Sequence, residues 1–391
     1  MRIHIFSNHY FPENNPRAFR TDQIIRALLE EHEVTYYNSR AVLSDFQINK
    51  GSESRNFKKQ SKLKRNIFKI FKAWIFPDKS VLTAFSVFIK YSLLKRSAKP
   101  DMIITISHPW SFHLIGILIK RIFAVQWICD IGDLYEDNPH TPTAHSFLRS
   151  NTSKFESYVL RKADFIILNS GGILNYYNEV RGIPKDKMKL IYNARQFDFP
   201  LKKVKHHGQI TFLFLGSTFN DLRNGIKECS ILLETLKSPE LAELDCKILL
   251  VGNQCDGLIQ FCQAEKRVSI VEPIYSSEVG EFYSKADFLI NFSHGTYPGL
   301  PSKVPEYFAS GIPIVNFCED MNETSVKFLI EIHADAIHVN IRTLNYKDLI
   351  DFILNKNGYD GQSRPTWTEW RKEQKKNLLK CIDRLQNKKP E

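Results

Sequence analysis

The residues best suited to chemistry lie in the run Asn291-Phe-Ser-His-Gly-Thr-Tyr-Pro-Gly-Leu-Pro-Ser-Lys-Val-Pro-Glu-Tyr-Phe-Ala-Ser-Gly-Ile-Pro-Ile-Val315. An apolar strand here ends in a Gly/Pro loop, and Ser302 follows as a natural N-cap for a short helix carrying Lys303 and Glu306. Backbone N–H groups at a helix start attract an anion, and a lysine one residue inside adds a full positive charge. Glu306, about one turn further on, can accept hydrogen bonds from sugar hydroxyls without touching phosphates. The set suits a nucleoside diphosphate sugar. Without other context, the same residues read equally well as an ordinary cap and a solvated helix face.

Positioning such a loop requires a sheet. Ile3–Phe6, an amphipathic helix near Arg17–Glu31 and Val34–Tyr37 form a β-α-β unit. Further strands are predicted at Met102–Ile106, Gln126–Asp130, Phe165–Asn169 and Lys189–Tyr192, with helices near Ser111–Ile122, Ser146–Arg161 and Ile173–Val180. Gln196–Gln209 has proline, clustered charge and no periodicity, and reads as a linker. The alternation restarts with strands at Ile210–Leu215, Lys247–Val251, Val268–Val271, Phe288–Phe292, Pro313–Phe317 and Ala336–Val339. Near-continuous apolar strands imply parallel sheets buried on both faces. The expected fold is therefore α/β: two Rossmann-like, doubly wound parallel-sheet domains, 1–200 and 201–365, facing a ligand cleft at the carboxyl ends of their strands. A lone amphipathic helix within 366–391 is expected to pack back on the first domain.

Size agrees, since 391 residues exceed the roughly 250–300 at which single cores stop growing. With 43% hydrophobic and 25% charged residues, general disorder is excluded. Seven cysteines, odd in number and without a CxxC pair, fit a reducing cytosol. The opening MRIHIFSNHYFPE lacks a signal-peptide core, and no run reaches the about 18 apolar residues of a spanning helix, so a soluble or peripherally attached protein is expected. Nine Lys/Arg between Lys50 and Lys72 face Glu53 alone and supply +8 of the net +11. So localised an excess does not describe a uniformly basic nucleic-acid binder.

Taken along its length, the chain resembles a family 4 glycosyltransferase of the two-Rossmann-domain (GT-B) type, near bacterial capsule and surface-polysaccharide enzymes. SNHYFPENNPRAFR resembles the family's first loop, facing the donor phosphates. It brings Arg17 and Arg20 within reach of a phosphate, although a surface salt bridge explains either residue equally well. His108-Pro-Trp and the strand end Asp130-Ile-Gly-Asp133 resemble the acceptor side, and Glu156 to Asn193 the stretch closing the first domain. In the second domain, Gly216-Ser217-Thr-Phe-Asn-Asp-Leu-Arg223-Asn-Gly225 resembles the first loop, Leu250-Val-Gly252 the next strand end, and PSKVPEYFASGIPIV the donor-site helix.

The resemblance implies retaining transfer of a sugar from a nucleotide donor, a uridine rather than a guanosine diphosphate sugar, to a glycan acceptor. Arg223 and Lys303 would clamp the diphosphate and Glu306 would hold the ribose. His108, Asp130 and Asp133 are candidates to orient the acceptor hydroxyl, each also readable as a cap or turn residue. No cofactor or metal is implied: no Asp-x-Asp pair ends a convincing strand, and Asp130 and Asp133 lie three apart. The family often carries two glutamates eight positions apart, and Pro298 stands eight before Glu306. Donor-sugar hydroxyls are therefore expected to meet backbone groups of the loop Tyr297, Pro298, Gly299 and Leu300.

Between Lys58 and Ile75, Leu63, Ile67, Ile70, Phe71 and Trp74 recur at helical spacing while Lys58, Lys59, Lys62, Lys64 and Arg65 take the other faces. That pattern fits a helix in the interface of an anionic membrane and a lipid-linked acceptor, at the inner face of the cell membrane. It also fits a helix packed on its own sheet with a basic solvated side. No nucleic-acid reader motif is present. Two other functions share the architecture: a non-hydrolysing nucleotide-sugar epimerase, and a non-catalytic scaffold that binds a sugar nucleotide or glycan.

Overall fold

The computed structural model describes residues 1–9, 13, 15–39, 42–44, 76–94, 99–138, 149–194, 208–219, 223–356 and 367–387. The basic segment with Lys58, Lys59, Lys62, Lys64, Arg65, Ile67, Phe71 and Trp74, and all but the last two residues of the expected linker, lie outside them. The chain divides into two compact units, Met1–Asn193 with Lys372–Glu391, and Ala194–Arg371.

The first unit is built on strands β1 (Arg2–Phe6), β2 (Glu33–Tyr37), β3 (Val42–Ser44), β4 (Met102–Ile106), β5 (Gln126–Ile131), β6 (Phe165–Leu168) and β7 (Met188–Leu190). Their order is β3-β2-β1-β4-β5-β6-β7, parallel except for antiparallel β3. Helices α1 (Pro16–Leu29), α2 (Val81–Leu94), α3 (Phe112–Phe123), α4 (Arg149–Lys162) and α5 (Gly171–Glu179) make the crossovers. α1 starts cleanly: Pro16 occupies its first turn and the Asn15 side chain accepts from the Ala18 N–H at 2.9 Å. Ile24, Ile25 and Leu28 then bury against Ile3, Ile5 and Ile104 of the sheet, which turns Arg17 and Arg20 toward the strand ends.

Two elements of this unit were not foreseen. β3 is three residues long, too short for a period-2 pattern to register. α2, VLTAFSVFIKYSLL, is apolar on nearly every side, so its 3.6-residue period is hidden. It buries Ala84, Val87 and Tyr91 and exposes Leu82, Phe85, Ile89 and Leu93.

In the second unit, β8 (Gln209–Leu215), β9 (Asp245–Val251), β10 (Val268–Val271), β11 (Phe288–Asn291), β12 (Ile314–Cys318) and β13 (Ala336–Asn340) are all parallel, in the order β10-β9-β8-β11-β12-β13. Renumbered from one, that is the 3-2-1-4-5-6 order of a dinucleotide-binding sheet. Chain order reverses between β8 and β11, and ligands of such sheets bind beyond the carboxyl ends there. Helices α6 (Ile226–Thr235), α7 (Asp256–Gln263), α8 (Val279–Lys285), α9 (Val304–Ser310), α10 (Thr324–Glu331) and α11 (Tyr346–Lys356) flank it. Stacked pairs Phe212–Phe288 (4.9 Å) and Phe214–Phe292 (4.3 Å) tie the two central strands together.

The terminal helix α12 (Trp367–Gln386) spans the division. Trp370 packs edge-on against Phe308 in the second unit, whereas Leu378, Cys381, Ile382 and Leu385 belong to the apolar cluster of the first. Among the described residues no helix is long and apolar enough to cross a membrane.

Candidate active site

At the carboxyl ends of β1, β4 and β5, the first unit gathers five of the sequence-selected residues into two ion pairs and a histidine. Arg20, buried, donates to Asp130 through Nη2 at 2.7 Å and Nε at 3.1 Å, and Nη1 reaches the Tyr192 carbonyl at 3.4 Å. The Asp130 carboxylate is thus taken up by Arg20. Arg17 makes the parallel pair with Asp133, nearer the surface. Its guanidinium passes so close to Gly132 that a Cβ there would stand 2.3 Å from Nη1, so a side chain at that position would displace the end of Arg17. The salt-bridge reading of both arginines therefore describes this structure; for Arg20 the bridge is in the core rather than on the surface.

His108 follows β4. Burial, with the positive Arg17 nearby, pushes its pKa well below that of an ordinary histidine, so the ring is neutral at pH 7. Its Nε2 is buried and has no hydrogen-bond partner. An unpartnered ring nitrogen can meet a hydroxyl from a ligand, whereas Asp130 and Asp133 are each already engaged by an arginine.

In the second unit, the β8 and β9 ends are stitched together. Gly252 has φ +128°, and a Cβ on it would lie 2.1 Å from the Gly216 carbonyl oxygen. The Gln254 amide donates to that same carbonyl at 3.2 Å, and Thr218 beside Ser217 accepts from the Cys255 N–H at 2.8 Å. The turn after β8 is thereby held against the turn after β9, and glycine is required where the two backbones touch.

Arg223 closes the loop after β8: its backbone pairs with Phe219. Its guanidinium lies 5.1 Å from the Phe214 ring and 6.0 Å from the Phe292 ring, and Nη2 donates to Asn291 Oδ1 at 3.0 Å. Asn291 is the last residue of β11, so this cation stands at the point where strand order reverses. Nε is buried without a partner, and desolvation lowers the pKa of the group while leaving it positive.

The helix expected to begin at Ser302 begins one residue later. Val304 N–H bonds the Pro301 carbonyl at 3.0 Å, closing a turn over 301–304, so Lys303 rather than Ser302 occupies the N-cap and no side chain caps α9. Lys303 Nζ and Glu306 Oε2 pair at 2.7 Å, with the Glu306 side chain buried. The backbone before the helix is compact: a Cβ at Gly299 would strike the Tyr297 ring at 2.3 Å, Pro298 O accepts from Thr324 Oγ1 at 3.1 Å, and Leu300 is buried.

Several residues supporting this site escaped sequence reasoning. Tyr307 on α9 accepts from the Leu215 N–H at 2.9 Å and donates back to the Leu215 carbonyl at 3.3 Å, joining the helix to the end of β8. Glu323 holds Ser293 Oγ at 2.7 Å and the His294 N–H at 3.2 Å. Asn291 and Asn316 are fully buried in strands that are otherwise apolar. A polar residue inside such a strand was the available signal.

Comparison with known proteins agrees with this architecture. The family described as "Glycosyl transferases group 1" matches residues 209–344, most of the second unit. No curated protein matches the chain. Among solved structures, sucrose-phosphate synthase from Thermosynechococcus elongatus is similar at TM-score 0.61 and 16% identity, covering 98% of each chain. HepE from Anabaena, solved with UDP and glucose, is similar at 0.58 and 14%, covering 99% of each. A Listeria monocytogenes protein assigned as a UDP-N-acetylglucosamine 2-epimerase gives 0.56 and 13%, over 100% of this chain and 98% of its own. At such identities the likeness is one of fold, and the chain has the GT-B architecture of two Rossmann-like domains.

Proposed function

We propose that the protein is a retaining, metal-independent glycosyltransferase of family 4 that moves a sugar from a uridine diphosphate donor to a glycan acceptor in surface-polysaccharide synthesis. The observation that carries this reading is Arg223: a desolvated guanidinium at the reversal point of the second sheet, inside the stretch that matches the glycosyltransferase family. As the anomeric bond breaks, negative charge grows on the departing diphosphate, and fixed cations stabilise it. Arg223 and Lys303 are that pair in our reading, and Glu306 takes the ribose hydroxyls. The turn residues Gly216, Ser217 and Gly252 give the nucleotide a close backbone approach, and the loop Tyr297–Leu300 faces the sugar. In the first unit, His108 orients the acceptor hydroxyl, whose proton passes to the leaving phosphate oxygen.

A lipid-linked acceptor and a peripheral position on the inner face of the cell membrane complete the proposal. Supporting it are the +8 of Lys50–Lys72 and the exposed α2 stripe Leu82, Phe85, Ile89 and Leu93, with Lys79 and Lys90 exposed beside it. Purified protein incubated with UDP-sugars and a chelator tests the enzymatic core. Transfer, or slow hydrolysis of the donor, supports it; interconversion of UDP-sugars without acceptor points to an epimerase, and binding alone to a scaffold.

A further inference from the structure

Asn291, Asn316 and His338 are register partners on the neighbouring strands β11, β12 and β13. They share the sheet face opposite to the one where Ile290, Val315, Phe317 and Val339 enter the apolar core. Starting from Arg223, they form one continuous row of hydrogen bonds: Arg223 Nη2 to Asn291 Oδ1 at 3.0 Å, Asn291 Nδ2 to Asn316 Oδ1 at 2.7 Å, and Asn316 Nδ2 to His338 Nδ1 at 3.1 Å.

The direction of the row is dictated by its first member. A guanidinium only donates, so Asn291 must present its oxygen to Arg223 and its amide nitrogen to Asn316. Asn316 must then accept with its oxygen and donate with its nitrogen, and His338 Nδ1 must carry no proton. A neutral ring protonated on Nε2 is the form that fits, and burial favours that neutral form. Reversing any amide sets donor against donor at its neighbour, so the row has a single arrangement. A bare pair of buried asparagines would satisfy each other without a histidine and without a preferred sense.

We propose that Asn316 and His338 are positioning residues: through Asn291 they fix the guanidinium of Arg223 to a rigid three-strand frame, in the orientation that meets a diphosphate. The proposal rests on reading Arg223 as a diphosphate ligand. A cation held before charge develops need not reorganise as the bond breaks, which gives a chain of amides behind it a catalytic use.

The test uses the full chain and UDP as probe. His338→Leu removes the terminal acceptor, whereas His338→Asn keeps an acceptor near the Nδ1 position. Calorimetric titration, run well below the thermal midpoint of each protein, is expected to show UDP binding about fivefold weaker in His338→Leu and restored to within about twofold of wild type in His338→Asn. Equal UDP affinity in all three folded proteins overturns the proposal. A second readout needs no nucleotide: nitrogen-15 spectra of the His338 ring are expected to show the Nε2–H tautomer in wild type and a mixture of neutral tautomers in Arg223→Met, where the imposed direction is lifted. A ring unchanged by Arg223→Met also overturns it. Wild-type protein that fails to bind UDP sinks the donor reading instead, and the ring spectra then decide alone whether the row orients Arg223.

Discussion

Replacing Arg223 by methionine separates catalysis from stability because the two effects have different sources. A guanidinium about 4 Å from a phosphate oxygen, at an effective dielectric of about 20, gains about 4 kcal/mol. The donor diphosphate is already charged in the ground state, so only part of that gain is specific to the transition state. Removal of one such preorganised donor costs about 3–4 kcal/mol, or roughly 10²–10³ in turnover. On the stability side, the substitution leaves Asn291 Oδ1 without its 3.0 Å donor, a penalty of about 1–3 kcal/mol. It also removes a desolvated charge whose buried Nε lacks a partner, a relief of comparable size and opposite sign. Methionine keeps contact with Phe214 and Phe292. Arg223→Met is therefore expected to lower UDP-sugar turnover, measured as nucleotide release in chelator, by roughly 10²–10³ while the thermal midpoint moves by less than about 4 °C. Turnover within about threefold of wild type refutes the clamp. So does a loss of activity that merely follows a large drop in thermal midpoint.

Lys303→Ala is expected to depress the same turnover by about 3–4 kcal/mol, checked by single-turnover donor hydrolysis on protein shown to be folded. Gly252→Ala forces a Cβ to 2.1 Å from the Gly216 carbonyl at φ +128°, and should lower the thermal midpoint and abolish UDP binding together. His113, fully buried and bonded to Thr105 at 2.8 Å, has its pKa pushed down to about 3 by desolvation. The unfolded chain takes up a proton near pH 6.5 and the native chain does not, so this residue makes stability fall by about 1.4 kcal/mol per pH unit as pH drops from about 6.5 toward 3. Urea midpoints at pH 6.5 and 5 should show a flatter dependence in His113→Asn; an equal slope removes His113 from that role. On anionic vesicles, Leu82→Glu with Leu93→Glu should weaken binding at unchanged thermal midpoint, as should neutralising Lys58, Lys59, Lys62, Lys64 and Arg65 at about 1 kcal/mol each; undiminished vesicle sedimentation defeats the membrane reading.

The positions of the strands were legible because apolar β-branched runs, buried on both faces, alternate with amphipathic helices: among the described residues, twelve of the thirteen strands fall where that pattern puts them. The site was legible in part. PSKVPE marks a loop-to-helix transition through its prolines, yet cap position depends on whether a turn over 301–304 forms first, and that is decided by backbone geometry the composition does not record.

The acidic and basic residues of the first unit show the deeper limit. Arg17 and Arg20 are separated from Asp133 and Asp130 by more than a hundred residues, and a residue's type says what it can bind, not what has already bound it. In sequence, each of the four is an unassigned charge at a strand or helix end, and a ligand is a natural guess for any of them. Only the parallel pairing of β1, β4 and β5 brings α1 over the end of β5 and lets each charge cancel another. Breaking such a buried pair leaves an uncompensated charge, at a cost of about 3–5 kcal/mol. Asp130→Asn should therefore show its effect first in the thermal midpoint, with any fall in turnover following from it, whereas His108→Ala, which removes a ring whose Nε2 has no partner to lose, should lower turnover with little change in stability. If Asp130→Asn instead left the midpoint intact and removed activity, the carboxylate would have to be doing chemistry that its pairing with Arg20 leaves no room for.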